Sequence, residues 1–131
     1  MDGAPLRLKR RRDFLHLART GRKWAAPGLV LQAKLRPEGR ETIKGTDTAS
    51  VRIGFTVSRK VGNAVIRNRA RRRLKAAAEN IFPAHGMPGF DYVVIGRAAT
   101  PKRPWAALQD DMVTALKKVG GWREDEELDK Q

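Results

Sequence analysis

Residues 52–79 read RIGFTVSRKVGNAVIRNRARRRLKAAAE, and local signals divide this stretch into a strand, a turn and a helix. Apolar side chains alternate with polar or small ones over residues 51–58, which is typical of a half-buried strand. Asn63 is a helix-capping residue type and precedes a helix predicted over residues 64–82. Pro83 should end that helix, because proline lacks a backbone donor and clashes with the preceding turn. The stretch therefore predicts a strand–turn–helix unit.

The predicted helix has one apolar stripe and is cationic around the rest of its surface. At 100° per residue the stripe consists of Ile66, Ala70, Leu74, Ala77 and Ile81. The polar side carries a ridge of Arg67, Arg71 and Lys75, with Asn68 and Arg72 beside it and with Arg69 and Arg73 on the opposite flank of the stripe. Residues 51–78 contain nine bases and no acid. Guanidinium groups match phosphate oxygens, so this pattern predicts binding to nucleic acid.

Three other roles for a basic helix fit this pattern less well. A membrane-surface helix would need large apolar residues, and the alanines at 70, 77 and 78 make this stripe shallow. A calmodulin-type target helix is disfavoured for the same reason. A nuclear localisation signal is a disordered peptide and not a patterned helix.

The composition supports a polyanion as the partner. The chain has 131 residues, which suits a single domain, and 28 Lys+Arg against 14 Asp+Glu give a formal charge of +14. The chain has no cysteine, which excludes disulfides and thiolate zinc sites and fits a reducing cytoplasm. It has no apolar run of about 18 residues, so we expect no membrane span, and the basic start lacks the apolar region of a secretory signal.

The rest of the sequence predicts an α+β sandwich. We predict a helix over 10–19, strands over 28–36 and 90–96, a last helix over 104–119, and loops over 37–50 and 83–89. The strands at 28–36 and 51–58 should form an antiparallel pair, and the strand at 90–96 should be central. Residues 1–8 are predicted to be a flexible basic arm, residues 9–120 a single RNA-binding domain, and residues 121–131 an acidic disordered tail.

The quoted stretch resembles the core signature of the protein subunit of bacterial ribonuclease P. The matching blocks are RIGFTVSRK, GNAV and RNRARRRLK, and the flanks agree through Asp13-Phe14 and FDYVVIGR. The resemblance extends over about residues 8–119. It implies an αβββαβα order, with residues 22–26 as the additional strand, a small mixed sheet and a left-handed β–α–β crossover.

The resemblance also implies a function. A catalytic RNA, with Mg²⁺ held mainly by RNA and substrate, removes the 5′ leader of precursor tRNA in the cytoplasm, and the protein assists. The partners implied are the ribonuclease P RNA and precursor tRNA, with no membrane and no small-molecule substrate. The residues that match the RNA-subunit-binding helix are Arg67, Asn68, Arg69, Arg71, Arg72 and Lys75. Those that match the leader cleft are Phe14, Val30, Gln32, Thr56, Ser58, Arg59 and Lys60. Ala18 and Gln32 stand where aromatic residues are common in the family.

Two other functions remain open at this point. A basic ribosomal or RNA-chaperone protein would bind RNA with no catalytic role, but the RNR block after a GNAV turn favours the ribonuclease P subunit. A protein enzyme would need clustered acids, and before the tail only Asp110 and Asp111 are adjacent. These neighbours point about 100° apart on a helix, so we expect them to be solvated and the protein alone to be inactive.

Overall fold

The computed structural model describes residues 5–36 and 50–124, and it has three helices and a five-stranded mixed sheet. The elements are β1 (Leu6–Arg7), α1 (Arg11–Thr20), β2 (Arg22–Ala25), β3 (Leu29–Leu35), β4 (Arg52–Thr56), a 3₁₀ turn (Arg59–Val61), α2 (Ala64–His85), β5 (Phe90–Gly96) and α3 (Trp105–Lys118). The predicted α+β class and αβββαβα order are confirmed, with the short strand β1 added in front. Predictions for residues 1–4, 37–49 and 125–131 lie outside the described residues.

The sheet has the order β1-β4-β5-β3-β2. The predicted antiparallel pair of β3 and β4 is therefore wrong, because β5 lies between them: it pairs antiparallel with β3 and parallel with β4. The segment FDYVVIG is the most continuously apolar strand, and the central position buries it on both faces. Helix α2 makes the crossover connection that the parallel pair of β4 and β5 requires.

The pairing register assigns side chains to two faces, because residues directly opposite each other lie on the same side of a sheet. One face, which includes Leu31, Val94 and Ile53, forms the main core under α2 and α3. The other face carries Val93 and is only partly covered, because α1 is the one described helix that packs on it. The sheet thus has one closed face and one half-open face.

The apolar stripe of α2 is buried as predicted at Ala70, Leu74, Ala77 and Ile81. Ile66 differs and is 37% exposed, because it lies in the first turn and packs back against Gly62. Two other large apolar residues at the ends of elements are also exposed, Trp105 at the start of α3 and Leu35 at the end of β3.

Helix α2 does not end before Pro83 but continues to His85. Pro83 lies in the last turn, where its missing donor removes a single hydrogen bond of the helix. The amide of Gly86 still donates to the carbonyl of Phe82 at 2.8 Å, and the amide of Arg123 donates to the carbonyl of His85 at 2.8 Å. The residues after α3 therefore hold the final turn of α2 in place.

Both ends of the described chain are more ordered than predicted. Residues 6–8 are not a loose arm, because the amides of Leu6 and Leu8 donate to carbonyls of residues 51 and 53 at 2.8 Å and Leu8 is buried. Residues 121–124 are not a free tail either. The Tyr92 hydroxyl donates to the carbonyl of Gly121 at 2.7 Å, and Trp122 stacks on His85 at 3.9 Å between ring centroids.

Candidate nucleic-acid interface

The basic ridge begins at a well-capped helix end. The side chain of Asn63 accepts a hydrogen bond from the amide of Ile66 at 2.9 Å, as the sequence predicts. Gly62 has a φ of 157°, which residues with a side chain rarely adopt, and a Cβ there would lie 2.8 Å from Ile66. Glycine therefore allows the 3₁₀ turn and α2 to join closely, and this brings Arg59 and Lys60 next to the start of the ridge.

The ridge residues lie along one side of α2, at the surface. Arg67 donates to the carbonyl of Gly62 at 2.9 Å, and Arg71 donates to the side chain of Asn68 at 3.1 Å. Asn68 and Arg72 are exposed, whereas Arg67, Arg71 and Lys75 are half-buried. Both hydrogen bonds leave most guanidinium donors free, so the ridge presents cations that are oriented but still able to bind an anion.

The arginines on the other flank of α2 have structural partners. Arg69 donates to the carbonyl of Pro101 at 3.1 Å, and Arg73 donates to the carbonyl of Thr100 at 2.5 Å and to that of Arg103. Burial of the Arg73 guanidinium, followed by the nearby charge of Arg69, lowers the pKa of Arg73 from its ordinary value. The sequence predicts that Arg69 faces RNA, and its hydrogen bond to Pro101 also holds the loop between β5 and α3.

Helix α1 contributes Phe14 to the half-open face. The Phe14 ring is half-buried and belongs to a small cluster with Leu8, Leu17 and Val93. Its ring lies over Gly54, where a Cβ would come within 2.4 Å of the Phe14 Cζ. Phe14 is therefore part of a satellite core on this face.

The open strip is a row of side chains that runs across four strands beside α1. The register aligns Ala25, Val30, Ile95 and Thr56 in this row, and the last three are half-buried. Ala25 and Ile95 were missed by the sequence reasoning, because alternation gives the face of each residue but not its neighbours on other strands.

The polar residues predicted for the cleft lie at two different places. Gln32 is only 7% exposed and lies in the row that α1 covers, between Lys23 and Val93. Residues 58–60 are exposed and follow β4 after the buried Val57, and the Ser58 hydroxyl accepts from the amide of Lys60 at 3.3 Å. The structure therefore brings Val30, Thr56 and the Ser58–Lys60 turn to one end of the sheet and leaves Gln32 less accessible than predicted.

The buried acids of the described residues bind arginines. Asp91 pairs with Arg36 at 2.8 Å and with Arg52 at 2.7 Å. Asp111 accepts from the amide of Gly28 at 2.9 Å and pairs with Arg103 at 2.9 Å, so the expectation that it is solvated is wrong, although Asp110 is exposed. Within residues 5–36 and 50–124, no three His, Cys, Asp or Glu side chains are grouped so that they could hold a metal ion.

Fold and surface together define a class of protein: a small, strongly basic α+β domain with one arginine-rich helix next to a half-covered sheet. None of the helices in the described part of the chain is long and apolar enough to cross a membrane. The family model for Ribonuclease P matches residues 4–120, and the chain belongs to that family.

Individual relatives agree with the family match. The chain is 56% identical to the ribonuclease P protein component of Paramagnetospirillum magneticum over 116 residues, which are 87% of this chain and 82% of that protein. It is 46% identical to the protein component of Ruegeria pomeroyi, over 86% of this chain and 84% of the relative. Among solved structures, the RNase P protein from Thermotoga maritima superimposes with a TM-score of 0.67 at 26% identity, over 88% of this chain and 98% of the other.

Proposed function

We propose that this chain is the RNA-binding subunit of a cytoplasmic ribonuclease P holoenzyme, in which a catalytic RNA removes the 5′ leader of precursor tRNA. The observation that carries the proposal is the charge on α2. The cations Arg67, Arg71, Arg72 and Lys75 share its surface, and in the described part of the chain none of them pairs with a carboxylate. Such a surface is stabilised by the phosphates of an RNA.

The leader of the precursor would bind on the half-open sheet face. The open strip is apolar at Val30 and Ile95 and polar at Thr56, and the cations of the Ser58–Lys60 turn lie at its end. A single strand binds well to such a groove, because its bases contact apolar and aromatic groups while its phosphates meet flanking cations. Phe14 is the one aromatic ring that α1 adds to this face.

The RNA and the protein would have different roles in the reaction, because they carry different chemical groups. In phosphodiester hydrolysis, bound Mg²⁺ would stabilise the developing negative charge and activate a water molecule. We assign the binding of Mg²⁺ mainly to the RNA and the substrate. This chain supplies cations that reduce the repulsion between two RNAs, and a groove that positions the leader. On this proposal the protein alone does not cleave.

The test adds the protein to a bacterial ribonuclease P RNA at a low Mg²⁺ concentration, at which the RNA alone is nearly inactive. We expect cleavage of precursor tRNA at the mature 5′ end with both components, and none with the protein alone at any Mg²⁺ concentration. An RNA chaperone or ribosomal protein would bind the RNA without restoring cleavage at this site. RNA-independent cleavage by purified protein would show a protein enzyme and overturn the proposal.

A further inference from the structure

A second recess lies on the opposite face of the sheet from the open strip, between the β1–β4 edge and α2. It is a shallow cavity of about 100 Å³. Its apolar wall is formed by Ile53, Phe55 and Ala78, and charged side chains line its mouth: Arg7, Lys75 and Glu79. None of the sequence-predicted sites includes this cavity, although Lys75 at its mouth is the last residue of the basic ridge.

The charged side chains at the mouth of the cavity form no ion pairs within the described part of the chain. Lys75 and Glu79 are one helical turn apart, yet they form no ion pair with each other or with another residue of the described chain. The Arg7 guanidinium lies 5.7 Å from the centroid of the Phe55 ring and has no hydrogen bond or carboxylate partner within residues 5–36 and 50–124. Two cations, an anion and an aromatic ring thus line one cavity, each able to contact a ligand.

We propose that this cavity binds an unpaired guanine nucleotide of the RNA that lies along the α2 ridge. Unpaired bases stack on aromatic rings and on guanidinium planes, which Phe55 and Arg7 provide here. Lys75 and Arg7 are suited to the phosphates on either side of the base. In this arrangement the base enters the cavity, and the sugar and the phosphates stay at its mouth beside the charged side chains.

Glu79 determines which base fits. It is the first acid after residues 51–78, which contain none, so it lies at the edge of a surface that otherwise attracts polyanions. A carboxylate repels phosphate but accepts hydrogen bonds from base donors. On its Watson–Crick edge guanine places two N–H donors side by side, which a carboxylate accepts in a bidentate manner, whereas uracil offers one.

The inference rests on the proposed function, because it assumes that the α2 ridge binds RNA. Its first test predicts a change in RNA affinity that is opposite to the change expected from electrostatics alone. Glu79→Gln removes a negative charge from a protein that binds a polyanion, so charge alone predicts tighter binding to the RNA subunit. If Glu79 reads guanine, binding weakens instead, by about fivefold or more. The matched control is Asp110→Asn, since Asp110 is exposed on α3 and does not line the cavity. Equal or tighter binding by Glu79→Gln overturns the inference.

A second test needs no RNA subunit. Backbone amide NMR spectra of the full chain are recorded with guanosine monophosphate, uridine monophosphate and inorganic phosphate. We expect the guanine nucleotide to shift the amides of Arg7, Phe55 and Glu79 most, and Phe55→Leu to abolish these shifts while its spectrum stays that of a folded protein. Equal shifts with phosphate or with uridine monophosphate would overturn the inference.

The two tests also separate this inference from the proposed function. Wild-type protein that fails to bind the RNA subunit contradicts the proposed function, and the nucleotide titration still tests the cavity. Normal RNA binding with no guanine-dependent shifts contradicts the inference alone.

Discussion

The aromatic ring of Phe14 lies directly on the backbone of Gly54, so that one residue of α1 and one of β4 fit together only because the second has no side chain. A Cβ at position 54 would lie 2.4 Å from Cζ and 2.5 Å from Cε1 of the Phe14 ring. The position of α1 on the half-open face therefore depends on this close approach, and so does the width of the open strip beside it.

Gly54→Ala tests that dependence. The added methyl group must displace the Phe14 ring, because Leu8 closes the space on the other side at 3.2 Å. We expect the free energy of unfolding to fall by about 1–3 kcal/mol, the usual range for overpacking. Chemical denaturation measures the change. In a Phe14→Ala background the same Gly54→Ala change should cost less, because the ring that it displaces is absent. A Gly54→Ala variant as stable as wild type would show that the ring moves at no cost.

Arg73 and Arg72 are neighbours in sequence but should respond differently to substitution. Arg73→Ala removes the hydrogen bonds to the carbonyls of Thr100 and Arg103 and the cation–π interaction with the Trp105 ring, so stability should fall by about 1–3 kcal/mol. Arg72→Ala should leave stability nearly unchanged, because Arg72 is exposed and has no partner within the described chain. Thermal unfolding of the two variants measures the difference. Similar unfolding temperatures would mean that the loop between β5 and α3 does not depend on Arg73.

The elements whose signals are local could be predicted from the sequence. The Asn63 cap is an example, and so is Leu74, which lies in the apolar stripe and is fully buried. The sheet order could not be predicted, because alternation in β3 and β4 shows which side chains share a face and not which strand lies beside them. Pro83 was misleading because the chain after α3 supplies hydrogen bonds to the final turn of α2.

The sequence predicts which residues belong to the candidate site better than it predicts what their side chains contact. Arginines on both flanks of α2 look alike in sequence, and only the carbonyls of residues 100–103 distinguish Arg69 and Arg73 from the ridge. Gln32 alternates with buried residues as an outward-facing position should, but the face it points to is the one that α1 covers. These differences arise from interactions between residues that are far apart in the chain.

The ridge itself should contribute affinity without contributing much to the fold. Replacing Arg67, Arg71 and Lys75 together by Ala leaves the buried stripe intact, so the protein should remain folded. Affinity for the RNA subunit should fall, and the slope of log K against log salt should decrease by roughly 0.7–0.9 for each phosphate that the variant no longer neutralises. Binding titrations at several salt concentrations measure both quantities. Affinity and slope at wild-type values would show that the ridge does not face RNA.

A core substitution on the same helix serves as the contrast. Leu74→Ala should lower the free energy of unfolding by about 2–5 kcal/mol, because it leaves a cavity under α2. At temperatures where the variant is still folded, its salt slope should equal that of wild type. A changed slope in the folded variant would mean that the core and the ridge are coupled.

Leader binding should depend on the aromatic character of Phe14, apart from its contribution to packing. Phe14→Leu keeps an apolar side chain in the cluster with Leu17 and Val93 but removes the ring, whereas Phe14→Ala removes both. With no second aromatic at Ala18, removal of the ring should weaken holoenzyme binding of precursor tRNA by about 1–3 kcal/mol and leave binding of mature tRNA unchanged. The measurement is affinity for precursors with leaders of increasing length. Leu15→Ala is the control, since Leu15 is exposed on α1 and lies outside that cluster. A Phe14→Leu variant that keeps the full dependence on leader length would show that Phe14 acts only as a packing residue.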